Sequence, residues 1–154
     1  MSLQVNRQRF WRGVLLVVLG LYPVVVTRLF KILPRDEAAF WAGVGFLVAG
    51  ILGLIQGFRL PSTFRSFGFW GALIFLIFSA IPIWVGRLAQ PDLSFEELLI
   101  LGVPGPYWHR AASPLYGLFL LGLIWDQWSW KRLYFERLTG GVSPQPEVTS
   151  AETT

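Results

Sequence analysis

Residues 40–58 read FWAGVGFLVAGILGLIQGF, and this stretch decides the fold. It is apolar almost throughout, yet Gly45, Ala49, Gly53 and Gly57 recur at every fourth position. On a helix that spacing makes one continuous ridge with almost no side chain, and Gly43 and Gly50 open a neighbouring strip. In water, each such glycine weakens a helix by up to about 1 kcal/mol against alanine. In lipid the penalty is tolerated, because an unpaired backbone amide has no other partner to find. Small residues in turn allow a neighbouring backbone to come close. The stretch is therefore expected to be a transmembrane helix gripped by others, and the element around which the chain packs. The plainer alternative is that glycine is simply frequent in membrane helices.

The composition around it agrees. The 154 residues are 54% hydrophobic and 16% aromatic, with a mean hydropathy of +0.54. Only 14% are charged, against about a quarter in a soluble domain, and those cluster between long apolar runs. This predicts an all-α integral membrane protein with four transmembrane helices. Zero cysteines exclude disulfides, thiolate catalysis and cysteine metal sites. The net charge of +4 belongs to helix ends and lipid headgroups rather than to nucleic acid.

The spans are expected near residues 10–30, 39–58, 64–86 and 114–130, in one membrane domain over residues 1–138. The first run lacks the small-residue cleavage site of a signal peptide and reads as a retained helix. Pro23 should kink it and free the carbonyl of Leu19. Asp36 and Glu37 suit the first turn of the second helix, and Ser62 or Thr63 can cap the third. Phe75, Phe78 and Trp84 are large enough to fill against the glycine ridge. Pro82 should kink the third helix, with Ser79 placed to re-satisfy freed backbone groups. In the outer loop, Ser94 and Glu97 have capping-box spacing ahead of LLIL, which predicts a short interfacial helix. Tyr107 and Trp108 should lie at headgroup level. The fourth helix is expected to begin at Pro114, a favoured first-turn residue. Residues 139–154 read as a disordered polar tail.

Shifting the chain by 59 residues lays Phe10 and Trp11 on Phe69 and Trp70, Pro23 on Pro82, and Arg28 on Arg87. A tandem 2+2 repeat is one reading; shared composition of membrane helices is the other. For orientation, eight basic residues (Arg7, Arg9, Arg12, Arg59, Arg65, Lys131, Arg132, Arg137) fall on one side and five (Arg28, Lys31, Arg35, Arg87, Arg110) on the other. This puts both termini in the cytoplasm, in a bacterial inner membrane or an equivalent energy-transducing membrane.

Candidate sites are few. His109 could ligate a haem or pigment shared with a partner, but no second ligand accompanies it, and an interfacial hydrogen-bonding role weighs more. Asp126 sits among tryptophans ahead of Lys131 and Arg132, and is expected in an interfacial ion pair with a basic residue of the first or second inner segment. Arg28 and Arg87 occupy matching outer helix ends, where they could hold an anionic headgroup or ligand; snorkelling is the ordinary alternative. Gln56 could hydrogen-bond between helices. No catalytic set, phosphate loop or metal-ligand spacing is present, so no catalytic or metal residue is assigned. These features favour a non-catalytic accessory or scaffold subunit of a larger membrane complex, bioenergetic or photosynthetic in kind. Its partners would be membrane lipids and larger membrane subunits, not nucleic acid. The rival is a small transporter or a lipid- or quinone-binding protein with Arg28 and Arg87 at its mouth. A third reading is an enzyme acting on a lipid headgroup through His109 with Glu96 or Glu97.

Overall fold

A computed structural model describes residues 3–130 other than 61 and 95. The expected tail at 139–154, and Lys131, Arg132 and Arg137, lie outside the described residues. Four long helices dominate: α1 (Leu3–Ile32), α2 (Arg35–Phe58), α3 (Phe67–Ala89, with a π-helical turn at Leu76–Ala80) and α4 (Gly105–Trp128). A short hairpin of β1 (Leu99–Ile100) and β2 (Val103–Pro104) joins α3 to α4. Three helices, α2, α3 and the Arg7–Ile32 part of α1, are long and apolar enough to cross a membrane, which marks the chain as a membrane protein.

The boundaries follow local chemistry. Pro34 precedes α2, and Asp36 and Glu37 occupy its first turn, where the helix dipole favours them. The cap of α3 is Ser66, whose hydroxyl accepts from the Phe69 amide at 3.0 Å, and not Ser62 or Thr63. Thr63 instead closes the preceding helix, donating to the carbonyls of Gly57 (3.1 Å) and Leu60 (3.2 Å). Helix α4 begins nine residues before Pro114. Pro106 takes the first-turn position, where a missing N–H costs nothing, and Pro114 lies inside the helix.

Each proline of the first and third helices removes one hydrogen bond, and the two are handled differently. In α1 the carbonyl of Leu19, which Pro23 deprives of its partner, accepts from Tyr116 Oη of α4 at 2.8 Å. In α3 the turn before Pro82 widens instead: the Ile81 amide bonds Leu76 O, five residues back, the π geometry that relieves a helix at an inserted defect. The expectation for Ser79 is overturned: its hydroxyl re-satisfies no backbone group and has no hydrogen-bond partner among the described residues.

The short interfacial helix is replaced by the hairpin. Ser94 and Glu97 do pair, hydroxyl to carboxylate at 2.9 Å, but the turn is not propagated. Leu98, Leu99, Ile100 and Leu101 are 0, 54, 4 and 85% exposed, a period of two that only a strand provides. Leu101 and Gly102 both have positive φ (52° and 78°), the two-residue turn that matches strand twist. Ile100 then seats on Gly86, where an added Cβ would lie 2.5 Å from its Cγ1.

The core lies where α2, α3 and α4 meet. Phe75 and Phe119 stack at 6.2 Å, and Tyr116 meets Phe46 and Phe75 edge-on at 4.9 and 5.3 Å. Phe75 is buried, whereas Phe78 points outward. The ridge of α2 faces several neighbours. An added Cβ at Gly45 would overlap Tyr22 of α1; at Gly53 it would lie 2.5 Å from Phe119 of α4; at Gly57, 2.7 Å from Phe69 of α3. Ala49 is buried in the same cluster. The closest pair, however, is α3 with α4, so α2 is not the centre of the packing. At Gly122 an added Cβ would lie 2.6 Å from the carbonyl oxygen of Phe67, and at Gly71 it would lie 2.8 Å from Cα of Phe119. These contacts are backbone on backbone, the tightest approach two helices can make.

Candidate functional site

At the end of the bundle where α1 stops and α4 starts, a cavity of about 280 Å³ opens between α2, α3 and α4. Its walls are aromatic: Phe30, Phe40, Phe46, Phe75 and Trp84. Trp84 is fixed by its indole N–H, which donates to Gly43 O at 3.0 Å, and by an edge contact with Phe40 at 5.4 Å. Ser79 also lines the cavity, 1% exposed, its hydroxyl without a partner among the described residues. The π turn places it there; a residue in a widened turn faces a direction that regular helix spacing would not assign.

The mouth carries Arg35, Asp36, Arg87, Glu96 and His109. Arg35 and Glu96 are joined at 2.6 Å, tying the start of α2 to the turn before the hairpin. His109 lies in α4 outward of the apolar run beginning at Leu115, and burial lowers its pKa from the ordinary histidine value, which favours the neutral imidazole. Two arginines thus meet two carboxylates around the histidine, so their charges balance at the mouth.

The cavity brings His109, Glu96 and Arg87 together. Glu97 is engaged by Ser94. Arg28 is exposed and does not line the cavity. Trp108 donates to Ile100 O at 3.1 Å, while Tyr107 is exposed beneath Arg110, 5.8 Å from its ring centre. Among the described residues no group of three His, Asp or Glu side chains comes together as a metal site. Arg35, Asp36 and Ser79, to which sequence reasoning assigned an orienting, a first-turn and a backbone role, also line the cavity. For Ser79 the signal was its hydroxyl, isolated in the apolar run ALIFLIFSAIPIWV.

Asp126 is at the opposite end and is 0% exposed. Its Oδ2 accepts from Ser66 Oγ at 2.5 Å and the Gly68 amide at 2.9 Å, and its Oδ1 from the Phe67 amide at 3.0 Å. Arg12 of α1 stands 3.6 Å away, its guanidinium 5.4 Å over the Trp130 ring. The carboxylate therefore closes the start of α3 from another helix, satisfying amides that every helix N-terminus leaves open. This is an architectural arrangement, because both carboxylate oxygens are occupied by the protein's own donors. Gln56 lies at this end too, in a groove beside Arg12.

Comparison with known proteins finds no matching family model, curated protein or solved structure. The class is thus defined by the fold itself: a helical membrane protein with an aromatic cavity at one end and a buried carboxylate knot at the other.

Proposed function

We propose that this is a four-span membrane protein that works by binding rather than catalysis, and that its outer cavity holds the ring headgroup of a neutral amphipathic lipid of the quinone class. The observation that carries the reading is Ser79, a buried, unpartnered hydroxyl at the wall of an aromatic cavity. A buried hydroxyl without a partner costs about 1–3 kcal/mol, and a carbonyl acceptor on a planar ring would offset that cost while its faces pack against Phe40 and Trp84. The balanced mouth gives no reason to select a charged head. The cavity's size suits a ring and the start of its chain, not a whole lipid, and the chain would leave toward the bilayer.

Titrating the detergent-solubilised protein with decylubiquinone should quench tryptophan fluorescence saturably, with the signal reduced in Trp84→Phe. Ser79→Ala should weaken binding about fivefold to tenfold, the worth of one hydrogen bond. It should leave the melting temperature of the unliganded protein unchanged or raised. Ser79→Leu should fill the cavity and abolish quenching. Quenching that never saturates, or that survives Ser79→Leu, would sink the proposal.

α4 is read as the fourth span because it runs antiparallel along α3, from Gly68 opposite Asp126, past Gly71 opposite Phe119, to Phe75 against Tyr116. Both termini are assigned to the cytoplasm by the basic-residue bias. Cysteines introduced singly at Ser2, Ser94 and Ser150 should label from outside intact cells at position 94 alone; labelling at 2 or 150 would reverse the assignment. A second reading, the accessory subunit, rests on α1. Only one face of it packs, and Phe10, Trp11, Val17, Val18, Leu21 and Val24 are exposed. Native mass in mild detergent separates that reading, which requires larger co-purifying subunits, from a self-sufficient binding protein.

A further inference from the structure

We infer a second binding site at the opposite end of the bundle: a basic groove between the beginning of α1 and the end of α2 that takes the phosphate of an anionic phospholipid. The groove has a volume of about 360 Å³ and is lined by Arg7, Arg12 and Arg59, with the amides of Gln8 and Gln56 and the ring of Trp11 beside them. Among the described residues that line it there is no carboxylate. Asp126 compensates Arg12, so Arg7 and Arg59 leave the concavity with a net positive charge that an anion would balance. Ordinary positive-inside arginines reach freely into water, whereas Arg12 is 7% exposed and held from behind by Asp126 at 3.6 Å and the Trp130 ring at 5.4 Å. A guanidinium fixed in advance loses little freedom when it pairs with phosphate oxygens. Arg59 arrives from a different helix, at the end of α2, so the site exists only when α1 and α2 are packed together. Trp11 is exposed at its edge, the place where an indole meets the headgroup layer. Basic pockets between helices at this depth suit phospholipid headgroups, whose acyl chains would lie in the surrounding bilayer.

The test is thermal melting of the full chain in mild detergent with three additives in turn: dioleoyl phosphatidylglycerol, dioleoyl phosphatidylcholine and inorganic phosphate. Saturating phosphatidylglycerol should raise the melting temperature by about 5 °C, and the other two should raise it by much less. Arg59→Gln and Arg7→Gln should each remove most of that shift. Arg28→Gln, an equal loss of charge at the other end of the bundle, should retain it. Arg12 is left intact, because its contact with Asp126 would confuse folding with binding. An equal rise with inorganic phosphate would make this a free-anion site and overturn the lipid assignment. An equal rise with phosphatidylcholine would show detergent replacement without recognition. Loss of the shift in Arg28→Gln would reduce the effect to overall charge, and either result would overturn the site.

Discussion

Gly122→Ala is expected to destabilise the bundle by about 3 kcal/mol, the upper range for overpacking, and to lower the melting temperature in mild detergent by ~10 °C. The added methyl would meet the Phe67 carbonyl oxygen at 2.6 Å, its carbon at 2.8 Å and the Gly68 nitrogen at 2.9 Å. All three are backbone atoms, so no side chain can swing aside and α3 itself must shift. That shift would also pull Phe67 and Gly68 away from Asp126. The control lies on the same helix: Gly117 has nothing within 4 Å of an added Cβ. Gly117→Ala should be neutral or should gain up to about 1 kcal/mol of helix propensity. Gly53→Leu should also be costly, because its neighbours are Phe119 and Ala72, but Phe119 can rotate in part. Leu118→Ala, on an exposed face, should change little. Equal melting temperatures for Gly117→Ala and Gly122→Ala would show that the backbones of α3 and α4 are not in contact at Gly122.

Asp126→Asn is expected to cost about 3–5 kcal/mol, the usual penalty for leaving one member of a buried charge pair alone. Two amides and one hydroxyl donate to the two carboxylate oxygens. An asparagine offers one oxygen and one NH₂, so a donor would face a donor, and Arg12 would lose its counter-charge. Melting should fall, and hydrogen exchange should accelerate at the amides of Phe67, Gly68 and Phe69 while the amides near Ser79 stay protected. Arg12→Met on the Asp126→Asn background should cost less than it does alone, since the uncompensated charge is then gone. Fully additive losses would mean that Arg12 and Asp126 do not act as a unit. Glu97→Gln, at an exposed carboxylate, should have little effect.

Some of this architecture could be read from the chain alone because its causes are local. A membrane span must be apolar on every face for about 20 residues, so composition suffices to locate it. Pro23 forfeits its hydrogen bond through its own ring, and so the stranded Leu19 carbonyl is legible without any neighbour. The donor that rescues it, Tyr116, is 97 positions away, and nothing near Pro23 points to it. The hydroxyls Ser62, Thr63 and Ser66 crowd one short link, and which of them starts α3 depends on where Asp126 arrives. LLIL has the composition of a helix or a strand, and Gly86 decides between them by admitting Ile100. Glycines at 68, 71 and 122 look like any membrane-helix glycines until α3 and α4 are laid side by side. The cavity is the clearest case, since Arg35, Ser79, Arg87 and His109 come from three helices and meet only at the end of the bundle. Length, hydrophobicity and the missing proline hydrogen bonds belong to single segments and were determined by the sequence itself. Caps, seams and sites need two backbones at a definite distance, and only the tertiary structure supplies that distance.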